Sequence, residues 1–233
     1  MFLHYCLISF YFPSRYCDAP GLPTPRDLCD AGYVCLGGAY TSTPTDGVTG
    51  KVCPRGGFCI IGSFESKACP PGTYSVTGGA TNNQDCKRCN AGYYCATASS
   101  PRPNGPCSAG FYCANGAITP NETITEPGYF TPEGASEPQP CAPGFYQDLQ
   151  KQDRCKQCEP GFYCPRNKMT TTEPCPAGFY CPTGSHRIYE CPPGTFNNYT
   201  RRSSLNDSCK ACPQGYYCQG TANKLPTGEV LNG

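Results

Sequence analysis

The sequence predicts a small disulfide-rich fold of short β-hairpins and turns: an elongated rod of tandem cysteine-rich repeats, with little or no helix. Three observations predict it. The 233 residues include 22 cysteines, about 9%, which is the range of disulfide scaffolds. Leu, Ile, Val and Phe together number 31, about 13% and too few for one large packed core. The 27 glycines and 26 prolines favour turns and extended chain, and no window sustains a helical apolar period. Cross-links must therefore do what a core does elsewhere.

The repeats set the architecture. Cys-x5-Cys with a central Gly and a following aromatic occurs as CDAGYVC (29–35), CPRGGFC (53–59), CNAGYYC (89–95), CSAGFYC (107–113), CEPGFYC (158–164), CPAGFYC (175–181) and CPQGYYC (212–218). The copies at 89 and 107 are one step apart, and an equal step lands on TEPGYFT (125–131), which matches CEPGFYC except that Thr125 and Thr131 replace the cysteines. A longer element, Cys-Pro/Ala-Pro-Gly followed by an aromatic, a polar stretch and Cys-x-x-Cys, precedes three copies, beginning at Cys69, Cys141 and Cys191. It reads as a hairpin spliced into the array. The resulting division is an atypical segment 1–16, short repeats 17–68, a long repeat 69–106, a short and a cysteine-free repeat 107–140, a long and a short repeat 141–190, and a long repeat with the start of a linker 191–233.

The paired loss at 125–131 carries a disulfide scheme. If each Cys-x5-Cys closes on itself, losing both ends strands no thiol. This gives seven rings, Cys29–Cys35, Cys53–Cys59, Cys89–Cys95, Cys107–Cys113, Cys158–Cys164, Cys175–Cys181 and Cys212–Cys218. The first cysteine of each long element then meets the first of its Cys-x-x-Cys, as Cys69–Cys86, Cys141–Cys155 and Cys191–Cys209. Cys6 and Cys17 remain for each other, although Cys17 also aligns with Cys95, which puts its ring partner at Tyr11. A crossed pattern, Cys69–Cys89 with Cys86–Cys95, stays open; it fits the long elements and does nothing for the stand-alone rings. Each ring bridge removes roughly 2 kcal/mol of unfolded-state entropy, so TEPGYFT is expected to be the softest joint. Each repeat is expected to touch mainly its neighbours.

These motifs resemble the ephrin-receptor-like cysteine-rich repeat, a relative of TNF-receptor and EGF-like modules. CPPGTYS…CKRCNAGYYC (69–95), CAPGFYQ…CKQCEPGFYC (141–164) and CPPGTFN…CKACPQGYYC (191–218) follow its order of Cys-Pro-x-Gly, aromatic, Cys-x-x-Cys and Gly-aromatic-aromatic-Cys. The resemblance runs from Cys17 to Cys218 and fails at residues 1–16 and at TEPGYFT. It implies a non-catalytic extracellular module for spacing, adhesion or assembly, with no catalytic residues to carry over.

The remaining features narrow the function. A formal charge of +1 with no run of one sign gives no footprint for nucleic acid; Lys87-Arg88 and Arg201-Arg202 read as solvated loop charges. No apolar run approaches the roughly 20 residues of a membrane span. The cysteines imply an oxidising compartment, secreted or cell-surface. A signal peptide is then expected, and MFLHYCLISFYF matches one only in its apolar character. The end, LPTGEVLNG, resembles the linker before Cys53 and leads us to expect a further repeat beyond it. The Cys-x-x-Cys pairs lie too far apart for a shared structural zinc, and no βαβ pattern supports a thioredoxin-like role. His4 and His186 have no nucleophile beside them, and Glu133 and Glu137 sit in Pro-rich loops. We therefore expect no enzyme, metal or cofactor. Asn121, Asn198 and Asn206 head glycosylation sequons, all read as lying in loops, and TSTPT (41–45), TASSPRP (97–103) and TTTEP (170–174) suit O-linked sugar. The expected function is a structural glycoprotein of a cell-surface coat, extracellular fibril or flagellar hair, partnered by copies of itself or neighbouring subunits. The alternative is a receptor or adhesion ectodomain that binds a protein ligand.

Overall fold

The computed structural model of the chain describes residues 13–19 and 22–229. The call on Cys6 lies outside them. A repeat starts with a turn whose fourth residue needs a left-handed backbone: Gly161 has φ 85°, which glycine adopts without strain. The two residues after it form a strand, and this pairs with the two residues just before the next ring. Phe162 faces Pro174 and Tyr163 faces Glu173; Tyr129 faces Pro140 and Phe130 faces Gln139. Twelve such antiparallel two-stranded hairpins occur among the described residues. Helix is confined there to a 3-10 turn, Asn83–Asp85, closed by a capping box from Asn82, and to α1, Leu205–Ser208, whose N-cap is Ser204. The fold is the disulfide-rich hairpin repeat that composition and spacing predict.

Four backbone hydrogen bonds join each ring to the next. In the ring 158–164, Gly161 N–H donates to the Cys181 carbonyl (2.8 Å) and the Gly161 carbonyl accepts from Cys175 N–H (2.9 Å). Cys164 N–H donates to Ser185 O (2.8 Å), and Gly184 N–H donates to Cys158 O (2.8 Å). The ring 89–95 makes the same four through Gly92 to Cys113, Cys107 to Gly92, Cys95 to Ala117 and Gly116 to Cys89. Paired this way, the buried peptide groups of a chain with little regular structure are satisfied.

Two details correct the sequence reading. The longer elements are not spliced hairpins. Each is a full repeat with its own turn and hairpin, such as Thr73–Tyr74 with Lys87–Arg88, in which the seventh position has lost its cysteine. Ser75, Gln147 and Asn197 stand there, all buried, and the first cysteine bridges forward to Cys86, Cys155 or Cys209 instead. In the repeat that ends at Cys17, Ser14, with φ 83°, stands in place of the ring glycine, and its N–H reaches the Cys35 carbonyl (3.1 Å). The second correction concerns range. A ring meets not only the next repeat but the one after it. A Cβ added to Gly128 would stand 2.6 Å from the carbonyl oxygen of Lys168, which lies in the loop following the second ring onward.

The chain forms two compact units. One holds the described residues up to Ser108 with Tyr112–Glu122 and Gly134–Glu137; the other holds Ala109–Phe111, Thr123–Glu133 and the described residues from Pro138 onward. Neither has one large core. Burial is concentrated in small clusters of a bridge with the second aromatic of the preceding ring: Cys107, Cys113 and Ala117 with Tyr94 in the first unit, and Cys158, Cys164 and Met169 with Tyr146 in the second. An aromatic face covering two sulfurs shields the bridge and fills the space that aliphatic side chains fill elsewhere.

Candidate functional site

Ten bridges link pairs of described residues: the seven rings and Cys69–Cys86, Cys141–Cys155 and Cys191–Cys209. No cysteine among the described residues is free, and Cys17 is disulfide-bonded too. The crossed pairing of Cys69 with Cys89 does not occur. Each Cys-x-x-Cys is split between two bridges, so its sulfurs are not thiolates poised for metal or exchange. No cluster of His, Cys, Asp or Glu suited to a metal ion is found among the described residues.

At TEPGYFT the joint is intact without a bridge. Gly128 N–H donates to Gln147 O (2.8 Å), Cys141 N–H to Gly128 O (2.9 Å), Thr131 N–H to Gln152 O (2.9 Å) and Lys151 N–H to Thr125 O (3.0 Å). Thr125 and Thr131 are both 0% exposed, and their hydroxyls hydrogen-bond to each other across the ring. A hydroxyl–hydroxyl hydrogen bond takes the place of the sulfur–sulfur link.

The carboxylates are committed locally. Asp85 accepts from Thr81 N–H (2.7 Å), Thr81 Oγ1 (2.9 Å) and Asn82 N–H (3.3 Å), and these donors, led by the Thr81 amide, hold its pKa below the usual value. The Lys156 ammonium, 2.6 Å away, does the same for Asp148. Glu173 accepts from Tyr163, and this pushes the phenol pKa up; Arg166 closes the group from the other side at 2.7 Å. A cleft of about 380 Å³ beside the 3-10 turn, lined by Ser75, Thr77, Gln84, Asp85 and Lys87 among others, therefore presents a carboxylate already bound to its own backbone. His186, Glu133 and Glu137 are exposed, and His4 lies outside the described residues. Among the described residues, neither His186 nor the carboxylates of Glu133 and Glu137 have a hydrogen-bonded nucleophile.

The sequons are placed on the surface. Asn121 is exposed in a turn and Asn198 is exposed beside the buried Asn197. Asn206 is exposed but lies on α1, not in a loop as its sequence suggested, because Ser204 and Asp207 make a helix N-terminus there. The hydroxyl of Ser208, third residue of that sequon, is buried without a partner.

Sequence reasoning missed one recurrent feature. After most rings the loop contains a left-handed residue that donates to the first residue of the preceding ring. Glycine often fills it, but Ser99, Lys151, Lys168, Arg201 and Ala222 do so with φ near 60°. Three of these are cations lying over a ring aromatic about forty residues earlier: Lys151 over Phe111 at 5.6 Å, Lys168 over Tyr129 at 5.1 Å and Arg201 over Phe162 at 5.3 Å. A cation–π contact worth on the order of 1 kcal/mol offsets the roughly 1–2 kcal/mol of left-handed strain. Arg202, beside Arg201, likewise rests over an aromatic ring, Tyr199, at 4.6 Å. No protein-family model matches the chain, and no curated protein matches it.

Proposed function

We propose that the chain is a non-catalytic extracellular structural glycoprotein, a tandem-repeat component of a cell-surface coat, extracellular fibril or flagellar hair. The observation that carries this reading is the four-bond joint, which recurs even at TEPGYFT, where the bridge is missing. A joint that stands without its covalent staple suits a chain that connects repeat to repeat. The ten bridges suit an oxidising environment, and among the described residues no helix is long and apolar enough to cross a membrane. The exposed Asn121, Asn198 and Asn206 suit N-linked glycans, and heterologous contacts between copies or neighbouring subunits would extend the array.

A receptor or adhesion ectodomain is the second reading. It is favoured by the apolar side chains Ile61 and Phe64, 61% and 54% exposed on one loop, since exposed apolar surface marks interaction sites. Negative-stain microscopy of native material, run beside sedimentation of the purified chain, separates the two. Periodic filaments support the structural reading; a chain that stays monomeric and captures one specific protein supports the receptor.

A further inference from the structure

The loop following the ring 191–197 is held in one shape from several sides. Asn197, buried, donates through Nδ2 to Phe179 O (2.8 Å) and accepts from Tyr199 N–H (3.1 Å). Arg201 N–H donates to Cys175 O (2.8 Å), and Arg202 O accepts from Cys181 N–H (2.8 Å). Two cations of this pinned segment, with Lys210 from the strand that follows, lie over two aromatic rings. Arg201 lies over Phe162 at 5.3 Å; Arg202 and Lys210 both lie over Tyr199, at 4.6 and 5.9 Å.

None of the three is neutralised. The ion pairs among the described residues take Arg26, Arg154, Lys156 and Arg166, and Asp207, near in sequence, accepts from the Ser204 hydroxyl. In a chain of formal charge +1, Arg201 and Arg202 on the pinned loop and Lys210 on the strand Lys210–Ala211 are a local concentration of positive charge. Tyr199 is 50% exposed, so an aromatic edge stands beside the charges. Fixed cations flanking an open ring match a ligand with repeated anionic groups on an apolar-faced backbone.

We propose that Arg201, Arg202, Lys210 and Tyr199 form a binding site for a sulfate-bearing polysaccharide. The site stands on this geometry; the choice of an extracellular polyanion rests on the function proposed above. Sulfates pair with the guanidinium and ammonium groups while the sugar backbone packs against the exposed edge of Tyr199. Holding the cations in place before binding removes the ordering cost that long side chains otherwise pay.

Chromatography of the intact disulfide-bonded chain on immobilised dextran sulfate tests this. The chain should be retained and released by salt, and immobilised neutral dextran should not retain it. The double variant Arg202→Gln/Lys210→Gln should bind at least about tenfold more weakly, since two charge-assisted contacts are lost. Lys156→Gln, which removes a cation already paired with Asp148, should elute with the parent. Passage of the parent through the column, equal retention on neutral dextran, or co-elution of the double variant with the parent overturns the proposal. Acetylation of the unmutated chain is an independent check: soluble dextran sulfate should protect Lys210, and full labelling in its presence also overturns the site. Filaments without retention would leave the coat reading standing alone, and retention without filaments would leave the binding site standing alone.

Discussion

Thr125 and Thr131 are fully buried and hydrogen-bonded hydroxyl to hydroxyl, at the two positions where the rings 107–113 and 158–164 carry Cys107–Cys113 and Cys158–Cys164. The cysteine-free repeat is therefore closed by a polar pair in a dry site. Such a pair is costly to halve and cheap to remove whole. Thr125→Val should destabilise by about 1–3 kcal/mol, because the Thr131 hydroxyl is left buried and unpaired, while Thr125→Val/Thr131→Val should be close to neutral. Thr125→Cys/Thr131→Cys should oxidise to an eighth ring and gain roughly 2 kcal/mol. Denaturant melts of the four proteins check all three signs.

The ring glycines should divide by what stands over them. Gly128 (φ 85°) would place a Cβ 2.6 Å from the Lys168 carbonyl, whereas Gly194 (φ 79°) has nothing within 4 Å. Gly194→Ala should cost only the left-handed strain, about 1–2 kcal/mol. Gly128→Ala should cost clearly more, since a backbone carbonyl must also move. Equal losses in thermal melts would mean that the contact with the second repeat onward carries no energy.

Asp85 predicts a pH effect with a definite sign. Its carboxylate is stabilised by the Thr81 and Asn82 donors, so its folded pKa lies below the unfolded value, about 3.9. The stability it lends is present above the unfolded pKa and is lost as pH falls through the folded one. An NMR titration should show Asp85 protonating at lower pH than an ordinary aspartate, with Thr81 amide protection fading in step. In Asp85→Asn that fading should vanish.

The fold was legible in the sequence because its determinants are local. A glycine and two aromatics at fixed places within seven residues give both turn and strand, and the joint loss of two cysteines at 125–131 points to rings that close on themselves. The uniform repeat was harder to see, since Ser75, Gln147 and Asn197 hide the seventh position behind three different polar residues. Ser14 conceals the first turn in the same way. The contact between Gly128 and Lys168 and the stacking of Arg201 on Phe162 were not legible. Each joins residues about forty apart, and a left-handed lysine or arginine leaves no glycine in the sequence to announce it. The candidate glycan site was hidden for the same reason: Arg201-Arg202 and Lys210 look like scattered charges until the pinned loop and the strand Lys210–Ala211 set them over their aromatics.

The central claim is that every ring closes locally and hands its remaining groups to the next repeats. Proteolysis of the native chain under non-reducing conditions at low pH, followed by mass spectrometry, tests it most directly. The account predicts Cys107 linked to Cys113 and Cys191 linked to Cys209, with no free thiol titrated before reduction. A peptide joining Cys95 to Cys107, or Cys191 to Cys212, would contradict it.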